Sequence, residues 1–77
     1  LELRRAAGSK LWVGNSLANL GMLALEEGRL DEARPFFEEA LLLSREVGDR
    51  SAIAILLNNL GNVTRDQGDH ARAQALY

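Results

Sequence analysis

The feature that most constrains the fold of this chain is an internal repeat with a period of 40 residues. The segment 17–21 reads Leu-Ala-Asn-Leu-Gly, and the segment 57–61 reads Leu-Asn-Asn-Leu-Gly. In each copy a further glycine, Gly28 or Gly68, follows seven residues later. A fixed period of this length is typical of proteins built from stacked supersecondary units, because one unit alone cannot bury its apolar face.

The repeat extends beyond these two segments. When each residue is aligned with the residue 40 positions later, ten of the 37 overlapping positions are identical, against about two or three expected by chance from ordinary residue frequencies. The identical pairs are Leu1/Leu41, Leu3/Leu43, Arg5/Arg45, Gly8/Gly48, Leu17/Leu57, Asn19/Asn59, Leu20/Leu60, Gly21/Gly61, Gly28/Gly68 and Ala33/Ala73.

The apolar residues between the glycines recur at three- and four-residue spacing, which predicts amphipathic helices. We predict complete helices over 10–27, 31–47 and 50–67, with residues 1–7 ending an earlier helix and 70–77 beginning a further one. Turns are predicted at the glycines that separate these segments, where a left-handed conformation has no Cβ penalty. These glycines are Gly8, Gly28, Gly48 and Gly68.

The predicted fold class is therefore all-α, an α-α superhelix of antiparallel helix hairpins. We expect a single unit over residues 1–77. Within it, residues 1–8 form the end of a preceding helix, 9–48 the first repeat, and 49–77 a second repeat that is truncated. Either Asp49 or Ser51 is expected to cap the helix that follows the turn at Gly48.

The same spacing predicts which side chains are buried. In the first complete helix Leu17, Leu20 and Ala24 share a face, which Val13 extends toward the helix start. Gly21 lies inside this helix, where glycine costs about 1 kcal/mol relative to alanine. We interpret Gly21, and its equivalent in the second repeat, as sites of close approach between helices. The other predicted core residues are Ala33, Phe36, Phe37, Ala40, Leu41, Val47, Ile53, Leu56, Leu57, Leu60 and Thr64.

Proline and composition add further expectations. Pro35 lies about one turn inside the second helix, where we expect a loosened turn and not a break. The 77 residues carry a net charge of −2, which gives no electrostatic reason to expect nucleic acid or an anionic membrane as partner. No cysteine is present, and we expect no signal peptide, since Leu1 already belongs to the helical pattern. These features favour a cytoplasmic protein.

The sequence gives no indication of catalysis. His70 is the only histidine, so neither a metal site nor a histidine base for a serine nucleophile is expected. The adjacent glutamates at 26–27 and 38–39 point about 100° apart on a helix and do not converge as an acid and base pair would. We therefore expect no enzyme, no cofactor and no metal.

The chain resembles the tetratricopeptide repeat family over essentially its whole length. The residues that carry the resemblance are Leu17, Leu20, Gly21, Ala24, Gly28, Ala33, Phe37 and Ala40, and then Leu57, Leu60, Gly61, Thr64, Gly68, Ala73 and Tyr77. The unit of 40 residues is longer than the usual 34. Long units of this kind resemble the sensor arms of bacterial signal-transducing NTPases and transcriptional regulators, and eukaryotic adaptors that bind extended peptides. Leu17 and Ala24 stand where the family usually has tryptophan and tyrosine.

The resemblance implies that the first helix of each repeat lines a concave groove. The face opposite the predicted core then holds the candidate peptide-binding residues. Asparagine is notable among them because its amide both donates and accepts hydrogen bonds, as the backbone of an extended peptide requires. Asn19 and Asn59 alternatively bond to the adjacent hairpin and only stabilise stacking. The candidates are Asn15, Ala18, Asn19, Met22, Leu25, Ile55, Asn58, Asn59, Asn62 and Arg65.

The sequence thus predicts a non-catalytic module that binds a protein or an extended peptide and belongs to a larger regulatory or signalling protein. The alternative is a purely architectural role, in which the repeats stack end to end. In that case the open ends of the repeat array would mediate self-association. Neither interpretation involves nucleic acid or a membrane.

Overall fold

The chain forms three α-helices joined by two short turns. The structure is a computed structural model that describes the backbone of residues 2–76 and the side chains of 8–72 and 75. The helices are α1 (Glu2–Glu26), α2 (Leu30–Val47) and α3 (Arg50–Leu76). No strand occurs in this described part of the chain, so the all-α prediction is confirmed. The predictions that concern Leu1, Ala73 and Tyr77 lie outside the described side chains.

Both turns are built on a glycine in the left-handed conformation. Gly28 has φ 76° and Gly48 has φ 74°, a region that other residues enter only with strain. At the second turn the N–H of Asp49 donates to the carbonyl oxygen of Ser44 at 3.0 Å, and the residue after Gly28 makes the equivalent bond at 2.8 Å. These bonds satisfy carbonyls that the helix end leaves free. The turns predicted at Gly28 and Gly48 are confirmed.

The start of α3 is capped by a side chain. The N–H of Ala52 donates to Oδ1 of Asp49 at 3.1 Å, which satisfies one of the amide groups that lack a partner in a first helical turn. Of the two caps predicted, Asp49 is therefore the one used and Ser51 is not. Pro35 lies inside α2 without ending it, as expected.

The turns predicted at Gly8 and Gly68 are wrong, because both residues lie inside continuous helices, α1 and α3. A glycine permits a turn but does not impose one. At both places the continuous helix keeps its backbone hydrogen bonds, which outweigh a glycine penalty of about 1 kcal/mol. The division into repeats at 9–48 and 49–77 stays a prediction.

The core lies along α2, which packs against both α1 and α3. Phe37 and Val63 are the largest side chains that are fully buried. The chain is elongated, with extents of 57 × 19 × 13 Å, and α1 and α3 each contact α2 far more than each other. The buried apolar residues are Ala24, Ala33, Phe37, Ala40, Leu41, Leu56 and Val63.

The contact between α1 and α2 is closest at Gly21. A Cβ placed there would lie 2.8 Å from Cε1 of Phe37, closer than real side chains approach. Gly14 is also buried, and a Cβ on it would lie at an ordinary 3.8 Å from Cβ of Leu43. The predicted close approach is thus confirmed at Gly21. It is wrong at Gly61, where a Cβ would meet nothing within 4 Å.

Equivalent positions of α1 and α3 form two lengthwise stripes, and α2 covers a different stripe on each helix. We define stripe one by residues 10, 14, 17, 21 and 24 of α1 and by 50, 54, 57, 61 and 64 of α3. Stripe two comprises residues 13, 16, 20, 23 and 27 of α1 and 53, 56, 60, 63 and 67 of α3. On α1, α2 covers stripe one, with Gly21 against Phe37. On α3 it covers stripe two, where Leu56 and Val63 are buried.

This arrangement corrects several predicted core positions. Leu20 is 47% exposed and Val13 is 40% exposed, because both belong to stripe two of α1, which α2 leaves open. Leu57 and Thr64 are exposed as well, because they belong to stripe one of α3. Val63 was not among the predicted core residues, although α2 buries it completely.

Candidate functional site

The candidate residues of α1 divide into an exposed and a half-buried group. Asn15, Asn19 and Met22 are exposed, as a surface that meets a partner requires. Ala18 and Leu25 are half-buried and pack against the hydrophobic core. Their positions flank stripe one, which α2 covers. The prediction that Ala18 and Leu25 lie on the face opposite the core is therefore wrong.

The candidate residues of α3 are more open. Ile55 is 60% exposed, and Asn58 and Arg65 are exposed as well. Asn59 and Asn62 are half-buried. The guanidinium of Arg65 lies 3.4 Å from Oδ1 of Asp66, between adjacent residues of the helix. The α3 half of the candidate surface therefore offers an apolar side chain beside an amide, both accessible to a partner.

The side-chain amides of the candidate asparagines do not hold the described helices together. The hydrogen bonds seen among the described side chains do not include any made by these five asparagines. Asn19 and Asn59 therefore do not join one helix to another within the described part of the chain. Their donors and acceptors remain open to solvent or to a partner.

The two groups of candidate residues lie on helices that are both packed on α2. Asn15, Asn19 and Met22 lie on α1, and Ile55, Asn58 and Arg65 lie on α3. Since α2 lies between these helices, a single concave groove that joins the two groups stays a prediction.

A polar network joins α2 to α3. Arg34 donates to Oε1 of Gln67 at 2.7 Å and, through Nη2, to Oγ1 of Thr64 at 2.7 Å. Gln67 in turn donates to Oδ1 of Asp31 at 2.9 Å. An open cleft of about 360 Å³ adjoins this network. It contains none of the ten candidate residues, and its lining is Gly28, Arg29, Leu30, Asp31, Glu32, Gln67, His70 and Ala71.

The exposed apolar side chains of stripe two on α1 were missed as a surface. Leu20 and Leu23 are 47% and 48% exposed, and the neighbouring Trp12 is 72% exposed. A signal for them was present, because the equivalent positions Leu60 and Val63 are apolar too. The sequence therefore shows an apolar stripe on both helices, and only the packing shows which one is covered.

The described residues lack two further kinds of site. No cluster of three or more histidine, aspartate or glutamate side chains among them could hold a metal ion. None of the helices, as far as their residues are described, is both long enough and apolar enough to span a membrane.

One comparison with known proteins identifies the kind of repeat. A family model described as tetratricopeptide repeat matches residues 1–77. No curated protein and no solved structure matches the chain at a significant level. The family model covers the whole length, and its helical hairpin is the arrangement seen at Gly28 and at Gly48. The chain therefore belongs to the tetratricopeptide repeat family.

Proposed function

We propose that this chain is a non-catalytic module that binds a protein or an extended peptide within a larger regulatory or signalling protein. Repeats of this family generally mediate protein–protein interaction. The observation that carries the proposal is the exposed pair formed by Asn58 and Ile55, of which Ile55 is 60% exposed. An accessible apolar side chain beside an unpaired amide suits a peptide that offers both a side chain and a backbone.

The proposed binding surface comprises the exposed candidates of both helices, with Asn62 at its edge. The asparagine amides would hydrogen-bond to the backbone of the peptide and not to its side chains. We therefore expect peptides of many different sequences to bind, provided that they adopt an extended conformation. We further propose that the repeat unit is the long variety of 40 residues and that the protein is cytoplasmic. The absence of cysteine from the sequence supports the second point.

The test is a binding measurement with the full chain against a library of unstructured peptides. Asn58→Ala and Asn62→Ala should weaken the binding of selected peptides about ten-fold each, since each loses hydrogen bonds to the peptide backbone. Glu39→Ala, which changes an exposed side chain on α2, is the matched control and should bind as the unchanged chain does. Equal binding by all the variants would refute the proposed surface.

A second candidate function is architectural, in which copies of the chain associate through open apolar stripes. It is favoured by the exposure of Val13, Leu20 and Leu23 along stripe two of α1. Sedimentation equilibrium across a wide concentration range, with circular dichroism on the same samples, tests it. This function is supported if the chain assembles and Leu20→Gln abolishes the assembly without loss of helicity. It is excluded if the chain is a folded monomer at every concentration.

A further inference from the structure

Four exposed side chains lie in a line along the side of α1 that faces away from α2. Their spacing of four, three and four residues keeps them within about 60° of one another and about 150° from stripe one. The proposed binding surface already includes the first three, and the fourth adds a carboxylate at one end. We name this set the α1 line, and its members are Asn15, Asn19, Met22 and Glu26.

Glu26 is the member of the α1 line that the fold does not explain. It is the last residue of α1, where the helix dipole disfavours a negative charge. Its carboxylate has no ion pair or hydrogen bond among the described residues, whereas the neighbouring Glu27 pairs with Arg29 at 2.8 Å. Of the other acidic side chains described, only Glu39 lacks a partner in the same way. The carboxylate of Glu26 is therefore available to a positive charge on a bound peptide.

The equivalent positions of α3 are not available in the same way. Asn59, Asn62 and Asp66 are half-buried there. The carboxylate of Asp66 also lies 3.4 Å from the guanidinium of Arg65, so its charge already has a partner. A peptide that brings a positive charge to the proposed surface therefore finds the unpaired carboxylate on α1 and not on α3.

The spacing along the α1 line matches the repeat of an extended peptide. Residues four apart in a helix are separated by about 6 Å along its axis, and every second residue of an extended chain by about 6.6 Å. Alternate side chains of an extended chain point to the same side. A peptide that runs along α1 therefore presents one side chain to Met22 and the next one on that side to Glu26. Asn15 and Asn19 have the same separation, so their amides match alternate backbone groups.

Met22 and Glu26 together favour a particular pair of peptide side chains. Met22 is 46% exposed, and a flexible thioether packs against aliphatic groups of many shapes. A free carboxylate attracts a guanidinium or an ammonium group and repels another carboxylate. The pair of side chains that fits is therefore one aliphatic and one basic residue, two positions apart in the peptide.

We propose that Glu26 determines the specificity of the proposed binding surface by pairing with an arginine or a lysine of an extended peptide. The basic residue stands two positions from an aliphatic residue that packs on Met22, while Asn15 and Asn19 bind the peptide backbone. This inference rests on the proposed function. It adds a preference for one charge to a surface whose asparagines accept peptides of many sequences.

The probe is a short, fluorescently labelled peptide with blocked ends, in which leucine and arginine stand two positions apart in a background of serine and threonine. Two versions, with the arginine before or after the leucine, cover both directions of the peptide along α1. Binding to the full chain is measured by fluorescence anisotropy. Replacing the arginine with glutamine should weaken binding about five-fold, as the loss of an exposed ion pair does. This difference should shrink as the salt concentration rises.

Glu26→Gln in the full chain is the decisive variant. It should weaken binding of the arginine peptide about five-fold and leave the glutamine peptide unaffected, since only the arginine peptide loses an ion pair. Glu39→Gln is the matched control, because it removes the other unpaired and exposed carboxylate, which lies on α2. Glu26→Arg should reverse the preference, so that a peptide with glutamate in place of arginine binds better than the arginine peptide. Circular dichroism of each variant confirms that it is folded.

Three outcomes would overturn the proposal. The first is equal binding of the arginine and glutamine peptides by a folded chain. The second is an equal loss in Glu26→Gln and Glu39→Gln, which would show a general attraction to the negative chain. The third is equal binding of a peptide whose arginine directly follows the leucine, since that side chain points to the other side. In all three cases peptides still bind and the proposed function stands, whereas it fails together with this inference if no peptide binds.

Discussion

Gly21 lies so close to the ring of Phe37 that a Cβ on the glycine would be 2.8 Å from Cε1. Phe37 is completely buried at this contact, so the glycine sets the distance between α1 and α2. Gly61, at the equivalent position of the second repeat, has no such neighbour. The same residue in the same repeat motif therefore has opposite energetic roles in the two helices.

The first prediction compares alanine at these two positions. Gly21→Ala should lower the free energy of unfolding by about 1–3 kcal/mol, because the ring or the helix must shift to admit the methyl group. Gly61→Ala should raise it by about 0.5–1 kcal/mol, because only the helix propensity changes. Urea unfolding followed by circular dichroism measures both. Effects of the same sign would show that the two glycines have equivalent surroundings.

The second prediction tests where the chain turns. Gly28→Ala and Gly48→Ala should each destabilise the fold by about 1–2 kcal/mol, because alanine is strained in the left-handed region. Gly8→Ala and Gly68→Ala should be neutral or stabilising by up to about 1 kcal/mol, because both positions are helical. Thermal unfolding of the four variants separates these cases. A loss of stability in Gly8→Ala or Gly68→Ala would indicate that the chain turns there after all.

The third prediction concerns the network between α2 and α3. Arg34→Ala should lower the free energy of unfolding by about 1–2 kcal/mol, since hydrogen bonds from Arg34 to Thr64 and Gln67 are lost. Arg72→Ala is the control, because its ion pair with Asp69 is exposed and should contribute about 0–0.5 kcal/mol. If urea unfolding shows that Arg34→Ala and Arg72→Ala lower the free energy of unfolding equally, the network has no special structural role.

The fourth prediction concerns the start of α3. Asp49→Ala should cost about 1 kcal/mol, because the N–H of Ala52 loses the carboxylate oxygen that it contacts at 3.1 Å. Asp49→Asn should retain most of the stability, since its side-chain oxygen still accepts. Ser51→Ala is the control and should change stability little. The capping assignment fails if Ser51→Ala costs as much as Asp49→Ala in thermal unfolding.

The sequence was informative wherever a local rule is sufficient. The turn at Gly48 could be predicted because glycine is followed by Asp49, which caps the next helix. The contact at Gly21 could be predicted because a glycine inside an amphipathic helix is costly unless another helix approaches it. The continuity of the backbone through Gly8 and Gly68 could not be predicted in this way, because the repeat makes these glycines identical to Gly48 and Gly28.

The candidate surface shows the same division. The exposure of Asn15, Asn19 and Asn58 could be predicted, because polar side chains away from the apolar stripe of a helix are normally left to solvent. Leu25 was misplaced because periodicity gives relative angles around a helix but does not say which angle a neighbour covers. A shift of the packed face toward Gly14 and Gly21 is enough to bury part of Leu25 and to expose Leu20.

The sequence by itself determined that this protein is an all-α repeat of helical hairpins, because residue spacing and glycine chemistry are encoded locally and occur twice. The tertiary structure alone decided that α2 covers stripe one of α1 and stripe two of α3. That choice depends on how the three helices pack around two fully buried side chains, Phe37 of α2 and Val63 of α3. Both helices carry both stripes, so only packing across the chain could decide which of them stay open to a partner.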